Sequence, residues 1–119
     1  MSIEDEQARF LRCIGEPTRL QILKLLADSE KCVGEIAEAL DKEQSLVSHH
    51  LRALKECNLV VMRQEAQRIY YGLADPRLSE LVVTSESLMK ELPLYQSKGV
   101  CYDEREDQEC CESQILTNS

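Results

Sequence analysis

Apolar residues recur at helical spacing along most of the chain. A first helix is predicted at about residues 5–15, where Phe10 and Ile14 lie four positions apart on one face. A second helix is predicted to begin at Pro17, because the first helical position needs no backbone N–H. Its apolar stripe runs from Leu20 to Ala27 and predicts a largely buried helix, which a turn at 29–31 follows.

Two short helices follow, at about 33–40 and 44–57, separated by the three polar residues 41–43. The apolar positions of the later helix are Val47, Leu51 and Leu54, so one face packs and the other faces water. Two helices joined by about three residues, the second polar on its outer face, are typical of a helix-turn-helix.

The β-prone runs 59–62 and 69–73 predict a hairpin whose polar tip carries two arginines. A long amphipathic helix follows Asp75 and reaches Leu92, and Pro93 ends or kinks it. A small domain covers such a stripe poorly, which favours a dimer seam over a core-facing terminal helix. We expect a mainly α fold with a small β-hairpin, of winged helix-turn-helix architecture, over residues 1–98. Residues 99–119 form an acidic, cysteine-containing tail.

Composition adds limits on class and partners. The chain has 119 residues, 43% of them hydrophobic, which suits one folded domain. It has no apolar run of about 18 residues and no apolar leader, so we expect a soluble cytoplasmic protein without a membrane partner. The net charge is −8, and residues 100–119 hold six acidic groups and one basic group. Residues 31–72 hold six of each, so a local basic face there can still meet phosphate.

Three segments resemble the ArsR/SmtB family of winged-helix metalloregulators. Residues 15–26 (Gly-Glu-Pro-Thr-Arg-Leu-Gln-Ile-Leu-Lys-Leu-Leu) resemble the entry to the family's second helix. Residues 44–54 (Gln-Ser-Leu-Val-Ser-His-His-Leu-Arg-Ala-Leu) resemble its recognition helix, and residues 60–73 resemble its wing. The resemblance covers residues 8–92. It implies a homodimer, formed through the first and last helices, that represses by binding double-stranded operator DNA and releases it when a sensor site is filled.

The polar face of the fourth predicted helix carries the expected DNA contacts. At its N-terminal end we assign base or near-base contact, in the major groove, to Gln44, Ser45, Ser48 and His49. Arg52 and Lys55 are assigned to phosphates, as are Arg63 and Arg68 on the wing, which can also reach the minor groove. An ordinary solvated helix face and hairpin tip is the alternative for any one of these residues.

The sequence also predicts the roles of three positions in or near this helix. His49 and His50 lie about 100° apart around a helix and cannot easily share a metal, so we assign packing or capping to His50. Ala66 stands where the family often has glycine, which predicts a longer hairpin loop than a tight primed turn. Glu43 is a poorer N-cap than the serine usual in the family.

The sensor sites of the family are incomplete over residues 1–98. Cys32 lacks the second cysteine of a Cys-x-Cys pair, and the segments after Asp75 and before Glu91 lack the histidines of a zinc site. Cys57 lacks a partner four residues earlier, where Ala53 stands. We therefore interpret three cysteines as buried structural thiols: Cys13, Cys32 and Cys57.

Cys101, Cys110 and Cys111 are the predicted sensor ligands. Three soft sulfurs suit trigonal-pyramidal As(III) or Sb(III), with Cd(II) or Pb(II) as the alternative, whereas Zn(II) prefers a fourth ligand. Acidic neighbours favour a divalent ion and tend to disfavour thiolates. Cys13 of a facing subunit could complete the site. The remaining interpretation is a disordered tail with incidental cysteines.

Two other functions compete with an arsenic-responsive repressor. A thiol redox or persulfide sensor on the same fold would use Cys101 with Cys110 or Cys111. An arsenate reductase would use the Cys-x5-Arg match from Cys13 to Arg19, which needs a preceding strand and an oxyanion-cradling loop. Because Cys13 falls in a predicted helix and Pro17 removes an amide, we expect no enzyme.

Overall fold

The computed structural model describes residues 1–92, which form five helices and three short strands. In chain order these are α1 (Ile3–Ile14), α2 (Pro17–Leu26), β1 (Lys31–Cys32), α3 (Val33–Leu40), α4 (Gln44–Glu56), β2 (Val60–Glu65), β3 (Arg68–Leu73) and α5 (Arg77–Glu91). The chain divides into two units, Met1–Val82 and Val83–Ser119. The predicted boundary at 98/99 and the three tail cysteines lie outside the described residues.

Helix α1 begins two residues earlier than predicted because a capping box starts it. The Ser2 hydroxyl accepts a hydrogen bond from the Asp5 backbone N–H at 3.0 Å, and the Asp5 carboxylate accepts one from the Ser2 N–H at 3.2 Å. Glu4 and Glu6 add negative charge to the first turn, which favours the positive end of the helix dipole. Helix α2 begins at Pro17, as predicted.

The turn between α3 and α4 confirms the helix-turn-helix prediction. Asp41 takes a left-handed conformation with φ of 56°, and the Lys42 N–H donates to the Ala37 carbonyl at 3.0 Å. This is the Schellman arrangement, which ends α3 and redirects the chain within three residues. Helix α4 then begins at Gln44, and the Glu43 side chain makes no capping hydrogen bond, as its sequence position predicted.

The wing is a three-stranded antiparallel sheet in the order β1-β3-β2, which corrects two predictions. Lys31 was placed in a turn but belongs to β1, where it pairs with Tyr71 of β3. The hairpin loop is short, since Glu65 pairs with Arg68 and only two residues lie between them. Ala66 makes this possible by adopting a positive φ of 58°, so the longer loop predicted from its missing glycine is wrong.

The core lies where α2, α3 and α4 meet the base of the hairpin. Seven side chains there are fully buried: Ile22, Leu23, Ile36, Val47, Leu51, Leu54 and Leu59. Burying each contributes about 1.5–3 kcal/mol relative to leaving it exposed. The apolar stripes that predicted these helices are therefore the faces that pack together, and the polar face of α4 stays outside.

The cysteines of the described residues depart from the prediction of three buried thiols. Cys13, in the last turn of α1, is disulfide-bonded to Cys57, which caps the C-terminal end of α4. Their Cα atoms lie 6.8 Å apart, within the range that a disulfide spans. Cys32 is a free thiol, as expected, but it is half-buried at the N-cap of α3. Two positions 44 residues apart offered no sequence signal of pairing.

Candidate nucleic-acid interface

Helix α4 presents a continuous polar face to solvent. Its buried residues are Val47, His50, Leu51 and Leu54. The six side chains assigned to DNA from sequence are all exposed: Gln44, Ser45, Ser48, His49, Arg52 and Lys55. The structure therefore brings these residues together on one helix, with hydroxyl, amide and imidazole groups toward its N-terminal end and both cations further along.

The two ends of α4 are held differently. At the N-terminal end, the Gln44 amide lies close to α3, because a Cβ added at Gly34 would meet Gln44 Nε2 at 3.4 Å. At the C-terminal end, Asn58 has φ of 65° and Leu59 donates its N–H to the Leu54 carbonyl at 2.9 Å. This second Schellman motif stops α4 and leads the chain directly into the wing.

His50 fixes the inner side of α4 to the α1–α2 corner. Arg19 Nε donates to His50 Nδ1 at 3.1 Å, and the Arg19 backbone N–H donates to the Glu16 carboxylate at 2.9 Å. Burial lowers the pKa of His50 below its ordinary value, and the Arg19 charge adds to this against the opposing effect of Glu16. Nδ1 accepts a hydrogen bond, so its 3.8 Å approach to Glu16 is a contact of a neutral ring. The packing role predicted for His50 is confirmed.

Midway along the hairpin, opposite Tyr70, β2 carries an arginine whose charge is already compensated. Arg63 pairs with Glu30 at 2.8 Å and with Glu65 at 2.6 Å, and its guanidinium lies 5.0 Å from the Tyr70 ring centre. These carboxylates raise the pKa of Arg63 above its ordinary value. Gly72 leaves room for Glu30 to cross β3, since a Cβ there would meet Glu30 Cγ at 3.1 Å.

Arg68 lies next to the turn, at the tip of the hairpin, and is exposed. It pairs with Glu65 through the backbone register, at the first position after the turn. The two wing arginines predicted to contact DNA thus differ: Arg63 is engaged by two carboxylates within the protein, whereas Arg68 is presented at the tip. Glu30 and Arg19 were missed as contributors, since their partners lie 33 and 31 residues away and leave no local spacing pattern.

The described residues offer no ready metal centre. Within residues 1–92, no group of three or more His, Cys, Asp or Glu side chains is arranged to hold a metal ion. The Cys-x5-Arg match does not form an oxyanion loop, because Cys13 lies inside α1 and its sulfur is bonded to Cys57. The predicted ligands Cys101, Cys110 and Cys111 lie beyond the part of the chain that the structure describes.

Helices α1 and α5 each expose apolar side chains. On α1, Phe10 is 38% exposed and Leu11 46% exposed. Leu88 on α5 and Leu92, directly after its end, are about half exposed. Over residues 1–92, none of these helices combines the length and the apolar character that crossing a membrane requires.

The chain is similar to known transcriptional regulators. The profile described as "Bacterial regulatory protein, arsR family" matches residues 16–61. An uncharacterized HTH-type transcriptional regulator of Methanocaldococcus jannaschii is 38% identical over 85 residues, which cover 71% of this chain and 96% of that protein. A probable mercury resistance operon repressor of Streptomyces lividans is 34% identical over 84 residues, covering 71% and 67% of the two chains.

The solved structures agree with these matches. The homodimeric winged helix-turn-helix DNA-binding domain of a possible ArsR-family regulator from Mycobacterium bovis superposes with a TM-score of 0.68 at 35% identity. The match covers 75% of this chain and 82% of that domain. The winged helix-turn-helix fold expected from the sequence is confirmed by this likeness.

Proposed function

This chain belongs to the ArsR family of bacterial regulatory proteins, and from that premise we propose that it is a dimeric transcriptional repressor. It binds double-stranded operator DNA through α4 and the wing, with α1 and α5 forming the dimer, and acts in the cytoplasm where that DNA lies. The relative from M. bovis is homodimeric by its description, which supports the assembly. Two copies would place their recognition helices in successive major grooves, about 34 Å apart.

One observation carries the DNA-binding proposal. Helix α4 exposes Ser45, Ser48, His49 and Arg52 while its opposite face is buried in the core. A helix held in this way can enter the major groove without unfolding, and its N-terminal polar groups then face base edges. Arg52 and Lys55 lie further along and suit the phosphates that flank the groove.

The DNA-binding proposal is tested with paired arginine variants on a fragment of the protein's own promoter. Arg52→Ala removes a phosphate contact from each subunit, so the salt dependence of binding, measured as the slope of log K against log salt, falls by about 2 for a dimer. Arg77→Ala is the matched control, since Arg77 is an exposed arginine paired with Asp75 at the start of α5. Equal slopes in Arg52→Ala and wild type would contradict the role of α4.

The inducer proposed is As(III) or Sb(III), bound by Cys101, Cys110 and Cys111. Arsenous acid would exchange its three hydroxyl groups for three thiols: three As–O and three S–H bonds break, three As–S bonds form, and three waters leave. Trivalent arsenic takes three soft sulfur ligands, and its lone pair occupies the fourth direction. In the part of the chain that the structure describes, no group of three or more His, Cys, Asp or Glu side chains is arranged to hold a metal ion, and the proposed ligands are the three cysteines beyond that part.

Release of DNA would follow from linkage. An inducer that prefers a dimer arrangement unable to span both half-sites weakens operator binding, and DNA weakens inducer binding by the same factor. Such coupling is typically about 1–3 kcal/mol. Inducer binding would change the separation of the two α4 helices, and equal separations in the free and inducer-bound dimers would contradict this mechanism.

Inducer identity is tested by equilibrium dialysis of the reduced protein against arsenite, antimonite, Cd(II), Pb(II), Hg(II) and Zn(II). Hg(II) is included because the S. lividans relative is described as a mercury resistance repressor. We expect one arsenic or antimony per site, lost in the Cys101/Cys110/Cys111→Ser variant and retained in Cys32→Ser. Tighter binding of Cd(II) or Pb(II) than of arsenite would identify the alternative inducer.

A further inference from the structure

The disulfide between Cys13 and Cys57 joins two elements with different tasks. Cys13 lies in the last turn of α1, and Cys57 caps the end of α4, the helix proposed to enter the major groove. Cys13 is 6% exposed, whereas Cys57 is partly open to solvent. A bond here closes a loop of 44 residues that contains α2, α3 and α4.

The surroundings of this pair favour thiol chemistry over metal binding. The two cysteines lie in an open cleft that three arginines line: Arg9, Arg12 and Arg19. Arg19 Nη1 is 3.9 Å from Cys13 Sγ and 3.2 Å from the Cys13 carbonyl oxygen. Guanidinium groups favour the thiolate, which is the form that reacts with oxidants, and they repel metal cations. Glu56 is the acidic residue that lines the cleft within the described chain.

Arg19 also connects the pair to the inner face of α4. Its Nε donates to His50, which is 8% exposed and packed behind the DNA-facing residues. The Cys13 sulfur lies 3.7 Å from the carbonyl of Ala53, one turn before the end of α4. A change at this pair therefore acts on the helix that carries the operator contacts.

We propose that Cys13 and Cys57 are a reversible thiol–disulfide site, oxidised by hydroperoxides, whose oxidation weakens operator binding. This inference rests on the proposed function for its effect on DNA. The more accessible Cys57 thiol loses its proton, and the thiolate attacks the peroxide. The O–O bond breaks, a sulfenic acid forms, and the leaving alkoxide or hydroxide takes up that proton and departs as alcohol or water. The Cys13 thiol then displaces water from that sulfur and forms the disulfide. A dithiol returns two electrons and two protons and restores both thiols.

The direction of the effect follows from where the bond lies. Helix α1 belongs to the proposed dimer interface, and α4 must fit a half-site on each side of it. A covalent link between α1 and the end of α4 removes the freedom of α4 to adjust to both half-sites at once. The reduced protein lacks that restraint, so we expect it to bind operator more tightly.

The test uses the full chain with Cys32, Cys101, Cys110 and Cys111 replaced by serine, so that the pair supplies all the thiols. After treatment with hydrogen peroxide, we expect two thiols per chain to be lost, a disulfide within one chain by mass spectrometry, and recovery with dithiothreitol. Operator Kd should rise by about fivefold or more on oxidation, the lower range of allosteric coupling. A further Cys13→Ser/Cys57→Ser change should abolish that rise.

Two results would overturn the proposal: no disulfide within the chain, or a disulfide that leaves operator Kd unchanged. Cys13→Ala/Cys57→Ala is the second thiol-free variant, and circular dichroism checks that both variants fold. The thiol count is read without DNA. If the reduced protein fails to bind operator, the proposed function and the regulatory effect are overturned, while the thiol count still decides whether the site exists.

Discussion

At the residue scale, a buried histidine links the recognition helix to the rest of the domain. His50 accepts a hydrogen bond from Arg19 and is held neutral mainly by burial, which lowers its pKa below 6.5. The unfolded chain therefore binds more protons than the folded chain as the pH falls below about 6.5. The contribution of His50 to stability is present above that pH and is lost as acid protonates the ring.

The prediction is that the free energy of unfolding decreases from pH 7 toward pH 5, and that His50→Gln reduces this slope. Glutamine keeps an oxygen that can accept from Arg19 but does not titrate. Urea denaturation at half-unit pH steps measures the slope. His49→Gln, which alters the exposed neighbour, is the control. If His50→Gln and His49→Gln reduced the pH dependence of the free energy of unfolding equally, the buried ring would not be the source of that dependence.

A second residue-scale prediction concerns the turn of the wing. Ala66 has a positive φ at the first turn position, as in a type II′ turn, where glycine is preferred. Adopting the left-handed region costs alanine about 1–2 kcal/mol, and glycine would remove that cost. The greater conformational freedom of glycine in the unfolded chain offsets about 0.5–1 kcal/mol of this gain. Ala66→Gly should therefore stabilise the fold by about 0.5–1 kcal/mol in urea denaturation.

The control for the turn is Ala39→Gly, since Ala39 is an exposed residue within α3. Ala39 lies in the last turn of α3, where glycine should cost up to about 1 kcal/mol relative to alanine, so this variant should be less stable. The same substitution thus has opposite signs at the two positions. Destabilisation by Ala66→Gly would show that the turn places no strain on Ala66.

At the element scale, local patterns predicted the helices better than the sheet. Helix α3 was predicted with its observed bounds, and α2 and α4 with their observed first residues, because each has an apolar stripe and a local start signal. Strand β1 was missed because its two residues depend on pairing with β3, about 40 positions away in the chain. The short hairpin was missed because Ala66 accepts a conformation that its side chain disfavours.

The structure of the wing predicts unequal roles for its two arginines. The charge of Arg63 is already compensated within the protein by Glu30 and Glu65, which makes Arg63 a poor phosphate contact. Arg68 is exposed at the tip and suits a phosphate. Arg68→Ala should lower the salt dependence of operator binding, whereas Arg63→Ala should chiefly lower the melting temperature through loss of the ion pairs.

Fluorescence anisotropy at several salt concentrations measures the first effect, and differential scanning calorimetry measures the second. Arg63→Lys is a further comparison, because lysine keeps the charge but cannot pair with two carboxylates as a planar guanidinium does. An Arg68→Ala variant with the wild-type salt slope would remove the wing tip from the DNA interface.

At the scale of the whole molecule, operator binding depends on the proposed dimer. The apolar side chains on α1 remain exposed in the single chain, which suits burial against a second copy. Phe10→Asp should yield a monomer by light scattering and weaken operator binding about a hundredfold, since a monomer holds one half-site. Val61→Asp, at an exposed apolar residue of β2, is the control for oligomeric state. A dimeric Phe10→Asp protein would contradict the role of α1.

The candidate DNA interface was easier to predict from the sequence than the roles of the cysteines. The polar face of α4 was evident from helical spacing, because its apolar residues define which face is buried. The Cys13–Cys57 bond was not evident, because it depends on how α1 packs against α4. The roles of Cys101, Cys110 and Cys111 remain predictions from their residue type and spacing, beyond the described residues.

The most direct test of the repressor proposal is release of a fluorescent promoter fragment from the reduced dimer as arsenite is added, followed by anisotropy. We expect release from wild type and from Cys32→Ser, and continued binding by the Cys101/Cys110/Cys111→Ser variant at the same arsenite concentrations. Release of DNA from the triple variant as well as from wild type, or no release from wild type, would contradict the proposed sensor site.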